Sequence, residues 1–452
     1  MAISSSLGLK TKIAYGMGEL GTVIPVSISV FFLLFFLTDV AGLGPTLAGA
    51  VLLLGRVWDA INDPLIGWLS DRTLSPWGRR YPWMIYGAIP LALCCVLQWV
   101  VPPLDSQVRL FAYYAILSMV IYAAYSAVQL PFSALAAELA QDYDERTQLM
   151  GFKSGFNIGG SILGLVLAQG VFSLVADVRQ QYVVVGWLSG LGVLLGISVC
   201  VWGTRHHHRA VRVNGVVRQS FWKQVPSLVE NSAFRWVMGL HLCSWIGIQI
   251  TASMLPYFVT YWMKLPEQHF TQMALAVQGT AVLAMPVWMW VARQQGKRAA
   301  YFWSAPFVMI GLMGLSCLQS GQLELMYGLG AAIGFGLASF YLVPLAMLPD
   351  IIELDTARTQ QQREGLFFSF LVFFQKLALA IALFIVGQLL DLTGFSASDR
   401  LPVQQPDSAL WAIRLMMGAL PALLIGGGLY CAYQYPITRT HLQTIHSDEP
   451  GL

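Results

Sequence analysis

The chain has 452 residues, of which 56% are hydrophobic and 11% charged, with a formal net charge of +3. Its mean hydropathy is +0.63. A soluble chain could not hide so much apolar surface, which excludes an ordinary soluble enzyme, and so small a net charge excludes a nucleic-acid partner. The expected solvent is lipid. The N-terminal MAISSSLGLKTK has no apolar stretch and predicts no cleaved signal peptide. Cys94, Cys95, Cys200, Cys243, Cys317 and Cys431 fall in apolar runs without metal or redox spacing, and read as small core hydrophobes rather than disulfides.

A helix needs about 20 mostly apolar residues to cross the hydrocarbon. Twelve segments qualify. In the first half they are 15–41, 46–69, 83–102, 108–138, 149–176 and 182–203. In the second half they are 233–262, 269–292, 300–319, 323–349, 365–390 and 408–434. The predicted fold class is an all-α membrane protein of twelve transmembrane helices. It divides into an N-terminal six-helix half (1–203), a linker (204–232) and a C-terminal six-helix half (233–452). Lys and Arg concentrate in alternate loops, for example Arg72, Arg79, Arg80, Arg205, Arg209, Lys297 and Arg298, while the opposite loops hold Arg109, Arg179, Lys264 and Arg400. By the positive-inside rule both termini are cytoplasmic, in an inner or cell membrane. The connections SDRTLSPWGRR (70–80) and ARQQGKR (292–298) occupy equivalent places in the two halves. Paired halves with matching basic loops resemble the parallel repeats of major facilitator transporters.

The charged residues inside the spans carry the functional signal. Asp59 and Asp63 sit four apart in GRVWDAINDPLIGW (55–68), on one face of the second helix. A carboxylate in hydrocarbon costs about 2.5–3.5 kcal/mol even on the lenient insertion scale. With Asn62 the pair forms an oxygen cluster suited to sodium, a hard cation, although like charges so close also suit a shared proton. A plainer reading pairs Arg56 with Asp59 and leaves Asp63 over. Lys376 lies deep in the eleventh span beside Gln375, where an ammonium either faces a cavity or snorkels to the interface. Ser126, Gln129 and Ser133 share or nearly share a face of the fourth span, as binding groups or as interhelical glue. Glu19 and Lys153, near the ends of the first and fifth spans, reach either the bundle interior or the interface. The segments DYDERTQL (142–149) and LPDIIELDTARTQQQREG (348–365) read as a salt-bridged gate between halves or as solvated loop charge. His206–His208 is a weak metal signal. No nucleophile–base pair or catalytic metal motif marks the chain as an enzyme.

IAYGMGELG (13–21), FFLTDVAGL (35–43), RVWDAINDPLIGWLSDRT (56–73), WGRRYPW (77–83), DERTQL (144–149) and QREGLFFSF…FFQK (362–376) resemble the glycoside–pentoside–hexuronide:cation symporter family, which includes the melibiose permeases. The resemblance implies the major facilitator fold and symport by alternating access. It implies a cation site at Asp59, Asn62 and Asp63, with Asp59 and Asp63 as the sodium ligands, joined by a hydroxyl at Ser126. It places the lysine that links cation to substrate at Lys376 and a basic substrate-side residue at Lys153. Melibiose permeases hold sugar with an aspartate where this chain has Val23, a second aspartate where it has Gln129, and a tryptophan where it has Ser133. The cation machinery therefore matches and the galactoside-binding set does not.

The expectation is a cation-coupled symporter of a sugar or glycoside, with Glu19, Gln129, Lys153 and Lys376 on the substrate. The coupling ion is Na+, with H+ or Li+ as variants, and there is no cofactor. The partners are a small-molecule substrate and the bilayer, and the chain acts as a monomer. The alternatives are a sodium-dependent lysophospholipid symporter, which shares the cation site and the lysine, and a non-transporting membrane sensor on the same fold.

Overall fold

The computed structural model describes residues 7–73, 75–140, 143–207, 230–266, 268–359, 364–396 and 404–436. The long helices of the first half are α1 (Leu9–Phe35), α2 (Pro45–Arg72), α3 (Tyr81–Leu97), α4 (Gln107–Leu139), α5 (Tyr143–Leu174) and α6 (Val178–Thr204). Those of the second are α7 (Ser232–Tyr257), α8 (Gln268–Gln295), α9 (Lys297–Cys317), α10 (Leu323–Thr359), α11 (Glu364–Leu392) and α12, which runs as Asp407–Arg414 and Leu420–Gln434 around a π turn. Each predicted span is met by a helix. Among the described residues ten helices are long and apolar enough, by length and composition, to cross a membrane. In α2 the apolar run is diluted by Arg56, Asp59, Asn62 and Asp63, and α3 has 17 residues.

Two details differ from the sequence reading. α10 continues to Thr359 although the span was expected to stop at 349, because Pro344 and Pro349 lie inside the helix instead of ending it. Neighbouring helices in a bundle make interior prolines tolerable. All six cysteines are free; Cys317, at the end of α9, is exposed and not part of a core.

The chain forms two compact units. The first comprises Met1–Asn214 with Pro266–Gln272 and Leu383–Pro406; the second comprises Gly215–Leu265, Met273–Ala382 and Asp407–Leu452. In the first unit α1 packs on α5 and α6, α2 on α4, and α3 on α4 and α6. Apolar burial gives little drive between helices in lipid, so close backbone approach matters more. A Cβ on Gly196 of α6 would lie 2.8 Å from the Gly21 Cα of α1. In the second unit α7 packs on α12 and α10, and α9 on α10 and α12.

The repeat expected from the basic loops is visible in local geometry. α1 and α7 both end in a five-residue π turn, Phe36–Val40 and Phe258–Trp262. Both turns close with the same hydrogen bonds, Ala41 N–H to Phe36 O (2.8 Å) with Leu43 N–H to Leu37 O (2.8 Å), and Met263 N–H to Phe258 O (2.9 Å) with Leu265 N–H to Val259 O (3.0 Å). Both are followed by a left-handed residue, Gly42 (φ 71°) and Lys264 (φ 55°). A glycine fits that region freely, whereas a lysine there costs roughly 1–2 kcal/mol. The basic loops are equivalent too. Arg79 Nε and Arg80 Nε donate to Glu138 Oε1 of α4 at 2.6 and 3.2 Å, and Arg80 Nη1 donates to Ser70 Oγ. Lys297 Nζ, opening α9, donates to both Asp350 carboxylate oxygens of α10 at 2.7 Å.

Of the expected gate, Glu145 Oε1 accepts the Leu7 N–H at 2.6 Å. Residues 142 and 360–363, and the side chains of 143, 144, 146, 147 and 356–366, lie outside the described residues, as do His208 and most of the 204–232 linker.

The two ion pairs differ in burial: the Glu138 side chain is 3% exposed and that of Asp350 17%. Stranding buried charge is costly, so Glu138→Ala is expected to destabilise by about 3–5 kcal/mol, and Asp350→Ala by clearly less. Thermal unfolding of the detergent-solubilised proteins reads both; equal losses would contradict this ranking.

Candidate functional site

The second and fourth helices are brought together at a glycine. A Cβ on Gly55 of α2 would meet the Ser118 and Tyr122 side chains of α4, the Tyr122 ring carbon at 2.7 Å. One turn further along α2, Asp59 faces α4; one more turn brings Asp63. Ser126 Oγ lies 3.2 Å from Asp59 Oδ1 and 2.6 Å from Asp63 Oδ1. Asp59 and Ser126 are each 1% exposed. A hydroxyl has one proton to donate. It can serve only one carboxylate at a time, and a cation, or a proton on one carboxyl, would suit the oxygens gathered there. The donor set is all oxygen, which suits a hard ion. Asn62 is also buried, 5% exposed, and its Nδ2 has no hydrogen-bond partner among the described residues. Arg56 lies over the Tyr122 ring, 5.0 Å from the centroid, so its partner on α4 is an aromatic face.

A second polar cluster follows along α4. Glu19 of α1, 4% exposed, accepts from Gln129 Nε2 at 3.2 Å and from Asn157 Nδ2 of α5 at 2.6 Å. Lys153 Nζ stands 3.7 Å from Glu19 Oε2, donates to Ser133 Oγ at 2.9 Å, and lies 5.3 Å from the Phe132 ring centroid. Among the described residues Gln129 Oε1 is buried without a hydrogen-bond partner, as is the hydroxyl of Tyr15, whose ring stacks on Phe132. Ser126, Gln129 and Ser133, placed about one turn apart, thus serve Asp59 and Asp63, then Glu19, then Lys153. The phenol of Tyr125 lies within electrostatic reach of Glu19, Asp59 and Asp63. Val23, where the resemblance expects a sugar-holding acid, packs over Gly160 of α5, whose Cβ would come within contact of Val23 Cγ1.

The first unit therefore holds seven of the eight sequence-predicted site residues and gathers six of them into two clusters along α4, with Asn62 buried beside Asp63 in sequence. Lys376 belongs to the second unit, half-buried on α11, next to Gln375, whose Oε1 lies 3.0 Å from His241 Nε2 of α7. Sequence reasoning missed Asn157, Tyr125 and His241. Asn157 falls one turn after Lys153 on α5, a spacing that would have found it; His241 had no such signal on its own helix.

The family model described as MFS/sugar transport protein matches residues 14–439. The chain is 38% identical to the uncharacterized symporter sll1374 of Synechocystis, over 98% of this chain and 96% of the relative. It is 25% identical to the sodium-dependent lysophosphatidylcholine symporter 1-A of Danio rerio, over 96% of this chain and 86% of that protein. The solved structure of a bacterial homologue of the human drug peptide transporters PepT1 and PepT2 superposes with a TM-score of 0.66 at 12% identity, covering 97% of this chain and 99% of that one.

Removing the Glu19 carboxylate strands two amide donors and the Lys153 ammonium. Glu19→Ala is expected to cost about 1–3 kcal/mol. The double variant Glu19→Ala/Lys153→Met should lose less than the sum of the single variants, by about 0.5 kcal/mol or more. A thermal-unfolding cycle measures this, and strict additivity would show that the pair carries no energy.

Proposed function

The chain belongs to the MFS/sugar transport protein family, and from that premise we propose that it is a sodium-coupled symporter of a glycoside-type solute. At the coarser level it is a multi-pass integral membrane transporter of the symporter class, not an enzyme, and it moves a small molecule with a coupling cation. The observation that carries the sodium assignment is the Ser126 hydroxyl shared by two carboxylates inside a membrane helix bundle. In this reading Asp59 and Asp63 are the main ligands, assisted by Ser126 and Asn62. Glu19, Gln129 and Lys153 face the solute, and Lys376 links the two. The six-helix halves, 1–203 and 233–452, work against each other across the linker 204–232, with both termini cytoplasmic and the chain acting as a monomer.

The mechanism is reciprocal linkage. Sodium on Asp59 and Asp63 neutralises charge that would otherwise oppose closure, and it fixes Ser126 on the helix that carries Gln129 and Ser133. Solute binding to the second cluster then tightens sodium by the same factor. Glu19 supports a polyhydroxyl solute: a buried carboxylate held by two amides and a lysine offers exchangeable hydrogen bonds with balanced charge.

One observation favours a second cargo, a lysophospholipid. Val23 puts an apolar side chain where a sugar-holding acid is expected, and a relative with that named cargo matches along nearly the whole chain.

Proteoliposomes offered labelled glycosides and, separately, lysophospholipids from outside decide between the cargoes. Uptake should require an inward sodium gradient. A hit whose uptake ignores sodium, proton and lithium gradients alike would refute symport. Asp63→Asn should lower sodium-stimulated uptake by about 100-fold or more, on the scale of lost metal ligation; retained sodium stimulation would move the ion site elsewhere.

A further inference from the structure

The second unit holds a buried polar pair with no part in the scheme above. His241 is 5% exposed, and its Nε2 lies 3.0 Å from Gln375 Oε1. An amide oxygen only accepts, so the imidazole donates through Nε2–H. The ring stacks on Trp245 one turn later, with centroids 6.0 Å apart, and Trp245 meets Tyr341 edge-on at 6.1 Å.

The internal repeat gives this pair its meaning. His241 follows Glu19 by 222 positions, the offset that also relates Lys264 to Gly42 and the second π turn to the first. Glu19 on the first helix of its half is held by Asn157 on the fifth; His241 on the first helix of its half holds Gln375 on the fifth. The two pairs are structural counterparts.

They differ in how the fifth helix is seated. α5 lies against α1 by backbone contact: a Cβ on Gly164 would be 3.2 Å from the Ile24 carbonyl oxygen. Among the described residues, no glycine of α7 or α11 lies against the backbone of the other helix. Side chains span the distance, with Phe234 meeting Phe367 edge-on at 5.0 Å and His241 meeting Gln375 about two turns later. Beyond Ala382, α11 is part of the first unit. There a Cβ on Gly387 would lie 2.5 Å from the Pro45 carbonyl oxygen, and Thr46 Oγ1 donates to Asp391 Oδ2 at 2.6 Å. The helix thus has contacts toward both ends, and between them Gln375 makes a polar tie to α7, immediately before Lys376.

We propose that His241 is a positioning residue: by holding Gln375 it sets the rotation of α11 and so the direction in which Lys376 projects. The consequence is large for a small rotation. Turning a helix by 20° moves a group about 6 Å from its axis by about 2 Å, enough to make or break an ammonium contact. The inference rests on reading Lys376 as the link between cation and solute. A buried pair that only glues two helices would stabilise the fold without directing Lys376.

Two measurements on the full-length protein separate these roles. His241→Phe keeps a ring against Trp245 and removes the donor; His241→Gln restores a donor nitrogen at similar reach. First, the rate of methanethiosulfonate labelling at Lys376→Cys in native membranes is compared with and without each His241 variant, with the parent protein as background. His241→Phe should change that rate by about threefold or more and His241→Gln by less than about twofold, within the span of coupling through one contact. An unchanged rate with His241→Phe overturns the proposal. Second, binding of sodium alone, as 22Na+, is measured by scintillation proximity. His241→Phe should weaken it by about 3- to 30-fold, and cause no further loss in a Lys376→Ala background; additive losses overturn the proposal. A wild-type protein that binds no sodium while labelling responds to His241→Phe refutes the sodium reading and supports the positioning role.

Discussion

A single hydroxyl set between two carboxylates is the constraint on which the first half is built. Asp59 and Asp63 are costly in a lipid-embedded helix, and α2 comes close enough to α4 for Ser126 to reach both. That approach is made at Gly55, where α2 has no side chain to hold Ser118 and Tyr122 away. The same crowding sends the Arg56 guanidinium over the Tyr122 ring. An aromatic face accommodates a cation.

From this point α4 acts as a ruler. Ser126, Gln129 and Ser133 lie at helical spacing, and each fixes a different charged group from α2, α1 or α5. Between Ser126 and Gln129 the rise is about 4.5 Å, too short for the two clusters to change independently. A shift of α4 that improves the geometry of one must alter the other. In the proposed mechanism this is the physical content of coupling within the half: a rigid element with two loads, which needs no long chain of intermediates. The buried, unpartnered Gln129 Oε1 is consistent with an arrangement completed by a further hydrogen-bond donor.

Helix number, order and the acid pair were legible because lipid imposes length and hydropathy so strictly that charged exceptions stand out. Asp59 and Asp63 announced themselves by spacing, and Ser126 by resemblance. Other features were illegible for specific reasons. The tenth span is expected to end at 349, where acidic and basic residues begin to mix, yet α10 passes through both Pro344 and Pro349 to Thr359. One-dimensional spacing shows Arg56 and Asp59 as neighbours on a helix and hides Tyr122 across the interface, over whose ring the guanidinium lies. His241 was missed for the same reason: it is not unusual in its own helix and is defined by the residue it meets on another.

The repeat explains why His241 is not a second glutamate. α1 and α7 share length, π turn and closing hydrogen bonds, and Glu19 and His241 share a position. A carboxylate at that place requires a countercharge, and the first half supplies one in Lys153, 3.7 Å away. In the second half the cation of the corresponding helix is Lys376, which the proposed mechanism assigns to the cation and solute. A buried glutamate at 241 would compete for that lysine and hold it in its own half. An imidazole bonded to an amide satisfies the same space with no claim on an ammonium, because that hydrogen bond forms between neutral groups. The two halves can therefore keep one architecture while dividing the charges, acids in the first and the coupling lysine in the second.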